Sequence, residues 1–243
     1  MKMNKIQKLK YIIDNSHNIV FFTGAGISVP SGIPDFRSES GLYKNNLHAE
    51  EIISHSYFIH NPKSFYEFYK DKMIYKDAKP NITHKWIANL EKLGKSTGVI
   101  TQNIDNLHYD AGSENVIELH GSIMRNYCMD CHKFYSLNKI LSNDLPRCEC
   151  QGLIKPDVVL YEEALDEDNI NKAINMIYNA DCLIIIGTSL TVYPAASFIR
   201  YFRGKYLVTI NKTELNNISS VLNKDDLAIV DDVCQVIKEL EKL

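Results

Sequence analysis

Glycines and polar residues follow one apolar run after another along this 243-residue chain. The segments after these runs read TGAGIS at 23–28, TQNID at 101–105, HG at 120–121, GTS at 187–189, and Asn211. If the runs are parallel strands, these segments meet at one edge of a sheet, where ligands of open α/β sheets bind. Each segment alone would be ordinary loop chemistry. Together they predict one binding cleft.

The glycine-rich segment at 24–26 predicts a nucleotide site, because backbone amides in such a turn can approach a phosphate closely. The third glycine of the usual dinucleotide fingerprint is absent at its usual spacing. No second strand ending in an acidic residue arrives within about 30 residues, so hydride transfer is disfavoured. The loop at 31–37 then brings a carboxylate, an aromatic ring and a guanidinium, from Asp35, Phe36 and Arg37. This loop could fold over a cofactor, or it could be a surface turn made by glycine and proline.

His120 is the candidate for proton transfer. Among the eight histidines it alone ends an apolar run and precedes a glycine. The ordinary pKa of imidazole suits proton transfer near neutral pH. A lone histidine is more often structural, and the shared position at a strand end is what favours catalysis here. His108, close after Asp105, is the competing candidate, but its place at the start of a helix predicts packing or capping.

Four of the six cysteines, Cys128, Cys131, Cys148 and Cys150, form a C-x2-C pair and a C-x-C pair separated by sixteen residues. Close pairs without an export signal favour a tetrahedral zinc site over disulfides, although four unconnected cysteines are the alternative. Because four thiolates leave no coordination position for water or substrate, we expect one structural zinc. The other two cysteines lie far away in apolar or helical surroundings and predict core packing.

The elements that must position these residues alternate between strands and helices. Short runs rich in branched and aromatic residues predict buried strands at 19–22, 98–100, 116–119, 183–186, 206–210 and 227–230. Helical spacing of apolar residues predicts helices at 3–15, 84–93, 168–179, 195–202 and 233–243. This alternation predicts an α/β fold with a doubly wound, Rossmann-like parallel sheet.

Two segments interrupt the alternation. Residues 38–80 are rich in Tyr, Phe and His, and residues 123–156 contain the four cysteines. We expect both to be insertions that together form a smaller helical and zinc-binding domain. The larger domain then comprises residues 1–37, 81–122 and 157–243.

The composition excludes broad classes of partner. The formal net charge is only −3 at pH 7, which predicts no general attraction to nucleic acid or anionic membranes. No apolar stretch approaches the roughly 18 residues needed to cross a bilayer, and no signal-peptide core follows the basic residues at the start. We therefore expect a monomer in the cytoplasm that binds neither nucleic acid nor membrane directly.

The chain resembles the sirtuin family of NAD-dependent protein deacylases along nearly its whole length. The resemblance rests on the cysteines, on Ile210-Asn211, and on GAGISVPSGIPDFRS at 24–38, TQNIDNLH at 101–108, LHG at 119–121, KPDVV at 155–159 and GTSLTVYPAA at 187–196. Several long motifs in the family's order are a specific signal. Pro30 and GLYK at 41–44 further resemble bacterial members.

The resemblance implies a protein-lysine deacetylase that transfers the acyl group to ADP-ribose and releases nicotinamide. It implies that His120 is the general base on a ribose hydroxyl and that Asn103 positions the ribose and a water. Ile104 and Asp105 would hold the amide of nicotinamide. The remaining NAD-binding positions that it implies are Gly24, Ala25, Gly26, Ser28, Val29, Asp35, Phe36, Arg37, Gln102, Gly187, Thr188, Ser189, Asn211, Asp232 and Val233.

The resemblance also implies where acylated lysine of a protein substrate binds. The peptide should add as a strand between residues 158–161 and 191–193, and backbone pairing of this kind predicts loose sequence preference. The implied substrate-binding positions are Val158, Val159, Leu160, Tyr161, Val192 and Tyr69.

Three departures from the family pattern bear on specificity. Val29 replaces a residue that is usually Thr, which puts one polar contact to the cofactor in question. Glu162 stands where glycine is typical, and its side chain could alter the backbone turn or repel acidic peptides. Tyr69 and Lys72 stand where members that prefer succinyl or malonyl groups have Tyr and Arg. Because lysine lacks the bidentate fork that suits a carboxylate, acetyl is expected first, with a surface pair as the other interpretation.

Alternative functions remain open on the sequence. Removal of succinyl or longer acyl groups is one, and mono-ADP-ribosyl transfer, in which a protein side chain captures the ribose, is another. A non-catalytic NAD sensor or zinc-dependent binding module would leave Asn103 and His120 without a role. Nucleic-acid binding is weaker still, since Arg125, Lys133 and Lys139 form no dense basic run.

Overall fold

The structure is a computed structural model that describes residues 3–36, 41, 48–215 and 226–243. The strands, in chain order, are β1 (Ile19–Thr23), β2 (Ser96–Thr101), β3 (Val116–Glu118), β4 (Gly121–Cys128), β5 (Phe134–Ser136), β6 (Ile154–Val158), β7 (Cys182–Ile186), β8 (Tyr206–Asn211) and β9 (Leu227–Val230). The α-helices are α1 (Lys5–Asp14), α2 (Ala49–Ile52), α3 (His55–His60), α4 (Pro62–Lys72), α5 (Ile82–Lys92), α6 (Leu107–Asp110), α7 (Leu137–Leu141), α8 (Glu167–Asn179) and α9 (Val233–Leu240).

The larger sheet has the order β3-β2-β1-β7-β8-β9, and every neighbouring pair is parallel. Counted along its own strands this is the order 3-2-1-4-5-6 of doubly wound dinucleotide-binding sheets, so the predicted fold class is confirmed. The chain reverses its direction of winding between β1 and β7. In such sheets the crevice at the carboxyl ends of these two strands is where ligands bind.

Both faces of this sheet are covered, which explains why its central strands are continuous apolar runs. Phe21 and Ile184 pack on one face with residues of α1, α5 and α9. Phe22 and Ile185, one position further along, pack on the other face with residues of α8. Alternate residues of one strand thus belong to two different cores, because side chains alternate across a strand.

A second, antiparallel sheet has the order β5-β4-β6. Cys128 is the last residue of β4, and the other three cysteines lie in loops and turns between the strands. The apolar face of this sheet shares one core with α3, α4 and α7, which includes Phe58, Phe65, Ile140 and Ile154. Segments on both sides of residue 81 therefore pack together. The second sheet begins at Gly121 and ends at Val158, slightly beyond the predicted insertion at 123–156.

The predicted helices are found with small shifts at their ends, with one difference in type. Residues Ala195–Tyr201 form a 3-10 helix, in which the Ser197 N–H donates to Pro194 O, three residues back, at 2.9 Å. Over a segment this short, periods of about 3.0 and 3.6 residues per turn both fit the pattern of apolar residues, so the sequence could not distinguish the two helix types. Among the described residues, no helix is long and apolar enough to span a bilayer.

Candidate functional site

The strand-end segments line one cleft of approximately 800 Å³, a volume typical of ligand sites. The cleft lies at the carboxyl ends of β1, β2, β3, β7 and β8, next to the second sheet. The predicted positions that line it are Gly24, Ala25, Gly26, Ser28, Val29, Asp35, Phe36, Gln102, Asn103, Ile104, Asp105, His120, Val158, Val159, Leu160, Tyr161, Gly187, Thr188, Ser189, Val192, Asn211, Asp232 and Val233.

One predicted position is not brought to the cleft, and another lies outside the described residues. Arg37 lies outside the described residues, as do residues 42–44 of the GLYK segment. Tyr69 is fully buried, its ring stacked 5.5 Å from that of Phe65. The expectation that Tyr69 contacts the substrate is therefore corrected: α4 turns this side chain into the core of the second sheet. Lys72, three residues later, lines the cleft instead.

The glycine turns after β1 and β7 interlock. The Gly26 N–H donates to Gly187 O at 2.7 Å, and the Gly24 N–H donates to Ile186 O at 3.1 Å. A Cβ atom on Gly26 would lie only 2.7 Å from the Gly187 Cα, so no other residue fits there without a backbone shift. Gly187 itself has a φ of +62°, where glycine is favoured. The two glycine amides are therefore used within the protein, and the turn brings the backbone of residues 24–26 to the cleft at the point where nucleotide phosphates bind in such sheets.

Asn211, at the end of β8, carries a polar atom that lacks a partner. Its Oδ1 accepts from the Thr188 N–H at 3.0 Å, which fixes the orientation of the amide group. Its Nδ2 is buried and has no hydrogen-bond acceptor within the described part of the chain. Since buried donors are nearly always paired, this one indicates a ligand that brings an acceptor. The hydroxyls and phosphates of a nucleotide such as NAD supply acceptors, so the residues present fit that group.

His120 is positioned as a base. Its Nδ1 lies 2.8 Å from Gln102 O, and because a carbonyl can only accept, Nδ1 carries the proton. This leaves Nε2 as the nitrogen able to accept a proton. Burial lowers the pKa of His120, and the hydrogen bond to Gln102 partly opposes that effect. The following Gly121 has a φ of +75° and passes so close to Asp157 O that a Cβ atom would collide with it.

Asn103 and Asp105 are joined through Ser28. The Ser28 Oγ donates to Asp105 Oδ2 at 2.6 Å, and the Asn103 Nδ2 donates to Ser28 Oγ at 3.1 Å. Burial raises the pKa of Asp105, whereas the hydrogen bonds from Ser28 and from the Leu107 N–H lower it. The network holds the loop after β2 against the glycine turn after β1. Its carboxylate and amide groups therefore face the cleft in fixed positions.

His108 is a packing residue, as its sequence position predicts. It is 2% exposed, its Nε2 lies 3.0 Å from Thr23 Oγ1, and its ring packs against His84 at 5.0 Å. Burial, together with His84, lowers the pKa of His108 well below its ordinary value. An imidazole held neutral beneath the strand ends contributes to the core and not to proton transfer in the cleft.

The four cysteines predicted to bind metal come together at one end of the second sheet. Their Sγ atoms all lie within 4.8 Å of one another, and the pairs Cys128–Cys150 and Cys131–Cys148 are each 3.5 Å apart. A tetrahedral zinc with Zn–S bonds of about 2.3 Å separates its sulfurs by roughly 3.8 Å. The geometry therefore fits one zinc ion. None of the four cysteines lines the cleft, as expected for a structural site.

The cleft also has wall residues that were not among the predicted positions. Four of them lie inside the quoted motifs at 24–38 and 187–196, which therefore indicated them: Ile33, Pro34, Tyr193 and Pro194. Three lie in the segment 38–80, where contacts between residues far apart in the sequence decide which side chains reach the cleft: Ile53, Met73 and Tyr75. The others lie shortly after predicted positions: Glu163, Leu165, Lys212 and Thr213.

Comparison with known proteins gives one consistent result. The model of the Sir2 family matches residues 24–194. A protein of Clostridium tetani named NAD-dependent protein deacetylase is 56% identical over 218 residues, covering 87% of this chain and 88% of that protein. One of Clostridium perfringens with the same name is 54% identical over 241 residues, covering 96% and 97%. The solved structure of a Sir2–p53 peptide–NAD+ complex superposes with a TM-score of 0.83 at 38% identity, covering 100% of this chain and 98% of that one.

Proposed function

This chain belongs to the Sir2 family, and we propose that it acts as an NAD-dependent protein-lysine deacetylase whose reaction takes place beside His120. This proposal rests on one observation, which is that two sets of residues with different chemistry line the same cleft. On one side an interlocked glycine turn and the unpaired Asn211 Nδ2 suit a dinucleotide. On the other side stands an imidazole whose Nε2 can accept a proton.

NAD supplies the ribose carbon that the acyl oxygen attacks, with nicotinamide as the leaving group. An amide oxygen is a weak nucleophile, so the protein must align the reactants and exclude water. We assign the nicotinamide amide to Ile104 and Asp105 and the ribose to Asn103, which Ser28 holds in place. His120 then takes the proton of a ribose hydroxyl at Nε2, which lets that oxygen capture the acyl carbon.

The substrate peptide is assigned to the edge formed by residues 158–161. The Val159 N–H donates to His120 O at 3.0 Å, so this segment is fastened directly to the catalytic residue. Val192 lies across the cleft from it. A peptide added as a strand between these two segments would place its lysine stem toward the ribose, with specificity left mainly to the backbone.

The test is release of nicotinamide from NAD by the purified protein, with acetylated or unmodified peptide. We expect release that requires the acetylated peptide and yields one deacetylated peptide per nicotinamide. Radiolabelled ADP-ribose that stays covalently on protein would instead indicate ADP-ribosyl transfer. NAD binding without turnover of any peptide would indicate a sensor.

Lys72 supports a second candidate activity, slower removal of acidic acyl groups such as succinyl. Its side chain lines the cleft, and its Nζ lies 2.9 Å from the Asp71 carboxylate, which neutralises part of its charge. We expect acetyl to be preferred, and Lys72→Ala to lower kcat/KM for a succinylated peptide about threefold while sparing the acetylated one. Both constants are measured by mass spectrometry of the peptide. Lys63→Ala, an exposed lysine on the same helix, is the control, and equal loss with both peptides would contradict the assignment.

Three further expectations form part of the proposal. The shared core of the second sheet supports a two-domain division at 38–80 and 123–156. The weak net charge supports the absence of direct nucleic-acid binding. A monomer working in the cytoplasm is expected from the sequence.

A further inference from the structure

Glu162 occupies a backbone position that favours glycine. Its φ is +75°, in the left-handed region where a side chain is strained, and it directly follows the substrate edge at 158–161. A residue keeps such a conformation only when its surroundings stabilise it. The side chain supplies the stabilising contact: the Glu162 Oε2 accepts from the Ser56 N–H at 2.8 Å and from the Ser56 Oγ at 2.6 Å.

The same stretch is joined to the start of α3 by backbone bonds. The Tyr161 N–H donates to Ile53 O at 3.1 Å, and the His55 N–H donates to Tyr161 O at 3.0 Å. Residues 53–56 therefore run alongside residues 161–162. Because α3 packs through Phe58 into the core of the second sheet, the substrate edge is anchored to that core.

The neighbouring Glu163 makes a separate set of contacts on the inner side. Its carboxylate accepts from the Leu160 N–H at 2.9 Å and contacts His55 Nδ1 at 2.7 Å and Lys155 Nζ at 3.0 Å. The imidazole of His55 and the ammonium group of Lys155 are therefore occupied by Glu163. The hydrogen bonds from Ser56 lower the pKa of Glu162, so its carboxylate is charged and is directed to the chain's own backbone.

We propose that Glu162 is a positioning residue for the substrate peptide: its carboxylate clamps the turn after residues 158–161 to Ser56 and so fixes the edge on which the peptide pairs. This inference rests on the proposed deacetylase function. The expectation that Glu162 repels acidic peptides concerns a separate effect, because the hydrogen bonds from Ser56 leave the carboxylate charged.

Glu162→Gly is the decisive variant, since glycine removes the strain at φ +75° and the clamp together. If backbone strain were the only effect of Glu162, this variant would bind peptide as well as the native protein or better. The clamp instead predicts a KM for the acetylated peptide that rises about fivefold, the effect of losing roughly one net hydrogen bond. The KM for NAD should stay unchanged, because the glycine turn and Asn211 are not touched by Glu162.

Two further variants separate the clamp from a charge effect. Glu162→Gln keeps an oxygen that accepts from Ser56, so it should retain most of the peptide affinity for acidic and basic peptides alike. Ser56→Ala removes one of the two bonds and should raise the peptide KM about twofold, with little further change when combined with Glu162→Gly. Glu67→Ala, an exposed glutamate on α4, is the matched control and should behave as the native protein.

The inference would be overturned by Glu162→Gly with native peptide KM, by fully additive effects of the Ser56 and Glu162 changes, or by equal shifts in the KM values for NAD and peptide. Selective gain of acidic peptides in Glu162→Gln would establish repulsion instead. Failure of the deacetylase proposal looks different, because all these variants and the native protein would then lack peptide turnover.

Discussion

His120→Ala should lower the kcat of deacetylation by about 10²–10⁴-fold, the usual range for removing a positioned general base. The reason is local: with Nδ1 bonded to Gln102 O, Nε2 is the nitrogen that can take the ribose proton, and alanine offers no substitute. Coupled detection of nicotinamide and deacetylated peptide measures the loss. Binding of NAD should persist, since Asn211 and the glycine turn remain in place. The control is His17→Ala, which changes an exposed histidine near the start of the chain and should leave kcat unchanged.

The pH profile gives an independent check on the same residue. A base must be neutral to act, so activity is present above its pKa and falls as the pH drops through it. Because burial lowers the pKa of His120, the acidic limb of kcat/KM should lie below the ordinary imidazole value of about 6.5. A limb above that value, or full activity in His120→Ala, would contradict the role.

The glycine and polar residues that line the cleft could be predicted because the strands of the larger sheet are parallel and end at the same edge. Buried strands such as β7 and the run 19–22 of β1 are apolar because the sheet is covered on both faces, so the glycine and polar residues that follow them mark the end that faces the cleft. Gly24, Gln102 and His120 were identified in this way. The metal site could also be predicted, because the C-x2-C and C-x-C pairs place its ligands close together in the sequence.

The misplaced residue and several of the wall residues that the sequence did not indicate lie in the segment 38–80, where no such constraint operates. The family resemblance implied that Tyr69 contacts the substrate, but the sequence of α4 does not show which of its faces lines the cleft. In the structure Tyr69 is buried in the core and Lys72 lines the cleft. The contact between Ser56 and Glu162 joins residues 106 positions apart, and nothing in the local sequence predicts it. Departures from a family pattern were visible, but their physical meaning required the partner side chain.

Cys148→Ser should release the zinc and lower the Tm by about 10 °C or more, because binding energy at a structural zinc site is folding energy. Cys148 is 4% exposed and belongs to the core of the second sheet, so its loss also exposes that core. Native protein should contain one zinc per chain by elemental analysis, and the variant close to none. Cys182→Ala is the control: burial raises the pKa of that thiol to about 12, so it stays protonated and should not bind metal. A zinc-free variant with native Tm would contradict the assignment.

Loss of zinc should also disturb the cleft, because β4 and β6 connect the cysteines with residues that line it. β4 runs from the residue after His120 to Cys128, and β6 runs back from Ile154, shortly after Cys150, to Val158 at the start of the peptide edge. Arg125 of β4 donates to Asp157 of β6 at 2.7 Å and to Glu118 of β3 at 2.6 Å, which ties both strands to the larger sheet. The glycine turn and Asn211 lie outside these connections. Zinc removal should therefore abolish peptide turnover while NAD binding, measured by calorimetry, is retained in part; equal loss of both would mean that the whole chain unfolds as one unit.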